Sequence, residues 1–245
     1  MMNMDFSEFK DILTAGFPGI TETQLSHFEA MEGLYREWNS KINVVSRKDI
    51  DNLYEHHILH SLGIALYLKY RRPEVFRAWG GEPLLGSSET TCPLHESDGA
   101  VAHDVTVLDL GCGGGFPGIP LATLFPSVAF TLCDSIGKKV TVAREVASAL
   151  GLTNVETVNA RAESLPGPYD YVVSRAVTSL ENFLPWVKGK WCRDIFYLKG
   201  GDLVEEIAQA MGRFRLPKGS VSVWPLSSVI HEEFFAEKMV IDIRK

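Results

Sequence analysis

The chain has 245 residues, 45% of them hydrophobic, and a formal net charge of -7. This length and composition suffice for one α/β core with a small appendage, and the acidic balance argues against nucleic-acid binding driven by overall charge. No basic run followed by an apolar segment opens the sequence, and no apolar stretch approaches the roughly 20 residues of a bilayer span, so we expect a soluble, cytoplasmic protein.

The first 75 residues predict an N-terminal helical cap, residues 1–75. Thr21 and Gln24 form a candidate capping box, and a second helical stretch covers 50–66. The apolar residues after the capping box recur at three- and four-residue spacing and are Leu25, Phe28, Met31, Leu34, Tyr35 and Trp38. An amphipathic helix that faces a core is therefore expected.

The cap also carries a histidine cluster and a local excess of cations. His56 and His60 lie one helical turn apart, which is the spacing of a two-histidine metal pair, but no acidic third ligand accompanies them and His57. We therefore expect structural or RNA-facing histidines and no metal. The cations are Lys41, Arg47, Lys48, Lys69, Arg71 and Arg72. They fit either a solvated basic face or a surface that docks RNA.

Residues 76–104 are predicted to be a flexible insertion or linker. From residue 80 the composition shifts to Gly, Ser, Thr, Pro and acids without a sustained period. Cys92, His95 and His103 lie here at spacings that match no tetrahedral metal site. The four cysteines of the chain are far apart and form no C-x-x-C pair, which predicts reduced thiols.

From residue 105 onward strands and helices alternate, which predicts a doubly wound, mostly parallel sheet in a domain of residues 105–245. The last two strands lack a convincing helix between them, so the final strand is expected to enter antiparallel. The predicted elements are strand 105–110, helix 118–125, strand 128–133, helix 137–150, strands 155–159 and 169–174, helix 179–187, strand 194–199, helix 202–212, and strands near 220–224 and 238–243.

A glycine loop follows the first of these strands. Residues 107–118 read Val-Leu-Asp-Leu-Gly-Cys-Gly-Gly-Gly-Phe-Pro-Gly. Gly111, Gly113 and Gly115 would supply sharp turns at positive φ and let a ligand approach the main chain. Gly113, Gly115 and Gly118 also satisfy the dinucleotide pattern, so glycine spacing alone leaves NAD and S-adenosylmethionine open.

Two acidic residues favour S-adenosylmethionine. Asp109, near the end of the first strand, would repel a pyrophosphate but stabilise the sulfonium and ammonium groups of S-adenosylmethionine. Asp134 ends the second strand, where this fold places a carboxylate that accepts hydrogen bonds from ribose hydroxyls. The alternative is an ordinary βα turn in which both acids act as caps. We interpret the segment as an S-adenosylmethionine site.

Nine parts of the chain share a recognisable pattern: 38–43, His57 with 61–62, 109–122, 134–135, 138–139, 144–145, 161–163, 174–177 and 199–200. Together they resemble the glucose-inhibited division protein B family, bacterial methyltransferases that act on guanine N7 of 16S ribosomal RNA. The resemblance covers nearly the whole chain except 71–104. The chain departs from the family in two ways. His56 and His60 stand where the family usually has Arg and Asp, and the insertion after residue 76 is longer than expected.

The resemblance implies a Rossmann-like seven-stranded sheet of the class I methyltransferase type, with the helical cap at its N-terminus. It implies S-adenosylmethionine-dependent methylation of N7 of guanine-527 in 16S rRNA of the small ribosomal subunit. The alternatives are a methyltransferase with a protein or small-molecule acceptor, a non-catalytic cofactor-binding ribosome-assembly factor and a NAD-dependent oxidoreductase.

The chemistry requires positioning groups rather than a base, because guanine N7 carries a lone pair and no proton. The sequence accordingly lacks the D/N-P-P-Y/F loop expected for amine methylation. Arg175 and Lys199 follow neighbouring strands at the edge where such folds bind ligands, and they could grip guanine O6 or phosphate. A surface Arg and a solvated Lys are the alternatives.

The candidate site residues form two sets. The catalytic candidates are Arg175, Lys199 and His57. The cofactor-binding candidates are Asp109, Gly111, Gly113, Gly115, Phe116, Asp134, Ala162, Glu163 and Arg175.

Overall fold

Seven strands form one sheet in the computed structural model, which describes residues 3–82 and 105–245. The strand order is β3-β2-β1-β4-β5-β7-β6; β1 to β5 are parallel, and β7 pairs antiparallel with both β5 and β6. The strands are β1 Val105–Leu110, β2 Val128–Asp134, β3 Val155–Asn159, β4 Tyr169–Arg175, β5 Trp191–Gly200, β6 Val221–Pro225 and β7 Lys238–Arg244. The predicted fold class and the antiparallel final strand are confirmed.

The helices follow from local signals in the sequence. The predicted capping box is present: the Gln24 amide donates to Thr21 Oγ1 at 3.2 Å, and the Thr21 amide donates to Gln24 Oε1 at 2.9 Å. A second box, between Asp5 and Glu8, was not predicted. The helices are α1 Phe6–Gly16, α2 Glu22–Lys41, α3 His60–Arg71, α4 Pro73–Ala78, α5 Gly118–Leu124, α6 Gly137–Ala149, α7 Leu180–Trp186 and α8 Val204–Phe214.

The segment before α3 is not a regular α-helix. A 3-10 turn at Ile50–Asn52 leads into a π-helical turn at Leu53–Leu59, which runs directly into α3. Single π-helical turns are rare and concentrate at functional sites. The sequence predicted one continuous helix across this stretch, and that detail was wrong.

The helical cap and the sheet share one hydrophobic core. Side chains of α1 to α4 pack in the same cluster as one face of β1, β2, β4 and β5, whereas α7 and α8 cover the other face. Trp79 shows the continuity: it is fully buried and meets the rings of Phe125, Phe130 and Tyr171 edge-on, at centroid distances of 5.4, 5.9 and 5.4 Å. A boundary at residue 75 therefore corresponds to no break in packing.

The predicted linker 76–104 begins too early. Phe76 in α4 is buried along with Trp79, so the chain is part of the core at least to that point. The remainder of the predicted insertion, with Cys92, His95 and His103, falls on 83–104 and lies outside the described residues. It stays a prediction.

A buried charge network ties the start of α4 to the sheet. Arg72 Nη1 donates to Asp242 Oδ2 at 2.6 Å and Nη2 donates to Asp194 Oδ2 at 3.2 Å, and the Tyr67 hydroxyl donates to the same Asp242 oxygen at 2.8 Å. Arg72 is therefore engaged inside the protein. Across the described parts of the chain, no helix has the length and apolar character that a membrane crossing needs.

Candidate active site

A cavity of about 510 Å³ opens at the carboxyl edge of β1, β2 and β4. This is where ligands bind in doubly wound folds, because the connections on the two sides of β1 diverge there. Seven of the nine predicted cofactor-binding residues line the cavity: Gly111, Gly113, Phe116, Asp134, Ala162, Glu163 and Arg175. Asp109 and Gly115 do not.

The glycine loop has the backbone that its composition predicts. Gly111 and Gly113 adopt φ of 75° and 56°, values that side chains rarely tolerate. A Cβ on Gly111 would lie 2.5 Å from Val177, whereas one on Gly113 would meet nothing within 4 Å. Gly115 lies deeper, where a Cβ would come 2.5 Å from Ile119 in α5 and 3.1 Å from the buried Tyr35 hydroxyl in α2. Gly115 thus allows the loop to pack on α5 and α2 rather than forming the cavity wall.

Asp134 holds the loop and faces the cavity. Its Oδ2 accepts from the Gly113 amide at 3.0 Å and its Oδ1 accepts from the Ile136 amide at 2.8 Å. Each carboxylate oxygen has a second lone pair, so the group can still accept from hydroxyls. Ile136 beside it is 42% exposed at the cavity wall and offers an apolar surface.

Asp109 does not line the cavity, so the geometry of the site gives no support to the prediction that it binds the cofactor. Its side chain is fully buried, and Oδ2 accepts from the Gly118 amide at 2.7 Å, at the start of α5. Burial raises the pKa of Asp109 to about 8, so the carboxyl is largely neutral at pH 7. Its hydrogen bond joins β1 to the start of α5, and the raised pKa weakens the electrostatic argument built on its charge.

Arg175 lines the cavity, and its guanidinium hydrogen-bonds to two residues of the π-helical turn. Its Nη1 donates to the His56 carbonyl at 2.9 Å, and its Nη2 lies 2.9 Å from His57 Nδ1. The guanidinium also lies over the Phe116 ring, 5.1 Å from its centre. Two predicted catalytic residues, Arg175 and His57, are thus brought together.

His57 is a neutral link between Arg175 and Asp49. Its Nε2 lies 2.7 Å from Asp49 Oδ2 while Nδ1 faces the guanidinium. Because a guanidinium only donates, Nδ1 must accept and the proton sits on Nε2. Burial, reinforced by the charge of Arg175, lowers the pKa of His57 to about 4, whereas Asp49 opposes the shift. His57 therefore carries no charge near pH 7.

Lys199 does not reach the cavity, which corrects its place among the catalytic candidates. Its Nζ donates to both carboxylate oxygens of Glu206, at 2.5 and 2.8 Å, and to the Thr178 carbonyl at 3.1 Å. Glu206 also accepts from the Leu180 amide at 2.6 Å. The pair fastens the loop before α7, of which Ala176 and Val177 line the cavity. Lys199 supports this wall from outside.

The two histidines that depart from the family pattern are packed into the protein. His56 places Nδ1 2.5 Å from Asp49 Oδ1 and stacks on Phe234 with ring centres 3.8 Å apart. His60 is buried against the edges of Phe234 and Phe235, and burial holds its pKa well below the usual value. Within 3–82 and 105–245, no three His, Cys, Asp or Glu side chains are placed to hold a metal.

Only part of the predicted basic surface is available to a partner. Lys41 pairs with Glu37 at 2.6 Å, and Lys69 is buried with Nζ on the Gly16 carbonyl at 2.6 Å. Arg72 belongs to the buried network described above. Lys41, Arg47, Lys48 and Arg71 are exposed, and of these Arg47 and Lys48 lie a few residues beyond Val44 at the cavity wall.

Sequence reasoning missed several site residues. Val44, Ile136 and Trp186 line the cavity, and Asp49 supports it from outside. The position of Ile136 two residues after the acid Asp134 was a usable signal. No sequence signal pointed to Asp49, because its contact with His57 depends on a π-helical turn that residue spacing does not predict.

Comparisons with known proteins identify the family. The profile of the rRNA small subunit methyltransferase G family matches residues 95–230. The ribosomal RNA small subunit methyltransferase G of Christiangramia forsetii is 43% identical over 239 residues, covering 94% of this chain and 95% of that protein. The protein of the same name from Bacteroides fragilis is 44% identical over 238 residues, covering 94% and 97%.

Among solved structures, a ribosomal protein L11 methylase from Lactobacillus delbrueckii subsp. bulgaricus aligns with a TM-score of 0.45 and 17% identity, over 58% of this chain and 70% of that one. The family assignment depends on the sequence relatives, which extend over the cap as well as the sheet. The chain belongs to the rRNA small subunit methyltransferase G family.

Proposed function

We propose that this protein transfers the methyl group of S-adenosylmethionine to N7 of guanine-527 in 16S rRNA of the small ribosomal subunit. The observation that carries the proposal is the position of Arg175. In a chain of this family, the cavity is lined both by a glycine loop and by a guanidinium fixed by the cap. A nucleotide could be gripped there beside a methyl donor.

The residues of the cavity fit S-adenosylmethionine. A volume of about 510 Å³ lies within the roughly 300–1,000 Å³ typical of such sites. Asp134 offers acceptors for ribose hydroxyls, and Ile136 and Trp186 offer apolar surface for a purine ring. Gly113 leaves the loop free of a side chain where a ligand would approach. When bound, the cofactor supplies an electrophilic methyl group on its sulfonium.

The chain's own residues act by orientation. Guanine N7 needs no base, and neutral His57 is already committed to Arg175 and Asp49. Arg175 uses one N–H on each of Nη1 and Nη2 for the cap, so Nε and the second hydrogens on both nitrogens stay available. They can grip guanine O6 or a phosphate and leave N7 aligned for attack along the S–CH₃ axis.

The RNA backbone would approach over the loop between α2 and the 3-10 turn. Arg47 and Lys48 are exposed there, and Val44 of the same loop lines the cavity. Contacts from such cations to phosphate position an RNA without reading its sequence. An enzyme of net charge -7 needs a local patch of this kind because the whole molecule repels RNA.

The test is nucleoside mass spectrometry of 16S rRNA from cells with and without the gene, which identifies acceptor and atom together. We expect 7-methylguanosine at the target position to disappear on deletion and to return with the wild-type gene. Arg175→Ala should bind S-adenosylhomocysteine as the wild type does and yet fail to restore the modification. Restoration by Arg175→Ala would refute the role of Arg175, and an unmodified target in wild-type cells would refute the acceptor.

A further inference from the structure

Arg175 is a strongly charged side chain without a carboxylate partner. Within residues 3–82 and 105–245 its side-chain hydrogen bonds go to a carbonyl and a neutral imidazole, and it forms no ion pair. A direct carboxylate would neutralise the guanidinium and compete with any acceptor in the cavity. Something else must therefore fix its direction.

The π-helical turn Leu53–Leu59 supplies the first anchor. In an α-helix the His60 amide would donate to the His56 carbonyl. Here that amide donates to the Glu55 and His57 carbonyls, and the His56 carbonyl accepts from Arg175 Nη1 at 2.9 Å and from the His60 imidazole. The change of helix type thus frees this carbonyl from the His60 amide.

The second anchor is an imidazole that is itself held by Asp49. Asp49 Oδ2 accepts from His57 Nε2 at 2.7 Å, and its Oδ1 holds His56 at 2.5 Å. The Asp49 carboxylate therefore fixes both acceptors of Arg175: the His57 ring, and His56, whose carbonyl accepts from Arg175 Nη1. Imidazoles oriented by a carboxylate on their far nitrogen have a defined tautomer and direction.

We propose that Asp49 is a positioning residue for methyl transfer: acting through His56 and His57, it aims the guanidinium of Arg175 into the cavity while leaving its charge free for the acceptor. This role rests on the proposed function, since it concerns how the acceptor is gripped. Asp49 does not line the cavity, so it acts on Arg175 through His56 and His57 and not on the reacting atoms.

The test compares Asp49→Ala with Asp51→Ala, a matched control from the same segment. Asp51 is exposed and pairs with Arg36 at 2.7 Å, away from the cavity. We expect Asp49→Ala to lower kcat by about tenfold or more, which is the size of a lost charge-assisted hydrogen bond, with KM for RNA and S-adenosylhomocysteine affinity changed less than about threefold. Asp51→Ala should keep the wild-type kcat.

A double-mutant cycle tells a positioning role from a merely structural one. If Asp49 acts through Arg175, Arg175→Ala with Asp49→Ala should be no slower than Arg175→Ala alone. The proposal would be overturned if the losses of kcat in the two single variants multiplied in the double variant, or if Asp49→Ala kept the wild-type kcat. Asp49→Asn against Asp51→Asn gives the same comparison if the alanine variant unfolds.

A second measurement does not depend on methyl transfer. In ¹⁵N-histidine spectra, with His57 assigned from the His57→Gln variant, the wild type should show a single Nε2–H tautomer. Asp49→Ala should lose that uniform state. A protonated Nδ1 on wild-type His57 would overturn the proposal, since it could not accept from Arg175. A chain that shows the expected tautomer but methylates no rRNA would instead refute the proposed function.

Discussion

The protonation state of the buried Asp109 carboxyl can be tested by the pH dependence of the free energy of unfolding. Asp109→Asn keeps the shape of the side chain and an oxygen that can accept from the Gly118 amide, but it cannot ionise. Because burial raises the pKa of Asp109 to about 8 in the folded protein, the folded state binds a proton that the unfolded chain releases near pH 4. The stabilisation from that proton is complete below pH ~4 and is lost as the pH rises through about 8.

The expected size follows from this pKa difference. Between pH 5 and pH 8 the free energy of unfolding of the wild type should fall by about 3 to 4 kcal/mol relative to Asp109→Asn. The buried histidines titrate in both proteins, so the comparison removes their contribution. Asp202→Asn, which changes an exposed acid, is the control and should follow the wild type.

The assay is urea denaturation at a series of pH values, with S-adenosylmethionine affinity measured by calorimetry on the same proteins. Asp109→Asn should bind the cofactor as the wild type does, because Asp109 is not part of the cavity wall. Parallel stability curves for the two proteins, or a cofactor affinity at least tenfold weaker in the variant, would refute the reasoning and restore Asp109 as an anionic ligand.

Three further predictions concern the glycine loop, the shared core and the Lys199–Glu206 pair. Gly113→Ala and Gly151→Ala both place a side chain at positive φ in open space, and each should lower the unfolding free energy by about 1 kcal/mol. Only Gly113 lines the cavity, so only Gly113→Ala should weaken cofactor binding measured by calorimetry. Trp79→Ala should lower the unfolding free energy by about 3 to 5 kcal/mol in a single cooperative transition, and two transitions would mean that cap and sheet unfold separately. Lys199→Met and Glu206→Gln should reduce methyl transfer equally, whereas RNA binding lost only in Lys199→Met would show a phosphate contact.

The sheet could be predicted because strand and helix patterns alternate clearly after residue 105. The strands at Val105–Leu110 and Val155–Asn159 were placed to the residue, and the others differ from the prediction by a few residues at their ends. The core shared with the cap could not be predicted. Periodicity identifies an apolar helix face but not the surface that covers it, and Trp79 stood at the edge of a stretch that reads as a loop.

The two strand-end cations show where sequence reasoning stopped. Arg175 and Lys199 both follow buried strands and looked equivalent. Arg175 pairs in register with Leu198, whose side chain packs on the cap side of the sheet, so Arg175 lies on that side too. Successive side chains of a strand alternate between the two faces, so Lys199 points towards α7 and α8. The register between strands, which one sequence does not contain, decided which cation reached the cavity.

The expectation that Asp109 lies at the cavity also depended on which face of its strand it occupies. It shares the face of Val107, towards α5, and the strand continues one residue beyond it. A carboxylate near a strand end is therefore not necessarily at the sheet's edge. The glycine loop and Asp134 depended on backbone conformation and local hydrogen bonds, which composition reveals more directly.

The π-helical turn and β4 belong to one packed core, and Arg175 joins them by its bond to the His56 carbonyl. The guanidinium is therefore oriented before an acceptor arrives. A nucleotide stacked in a duplex would have to unstack and swing out to reach Arg175, whereas a nucleotide in a single-stranded loop would need less rearrangement.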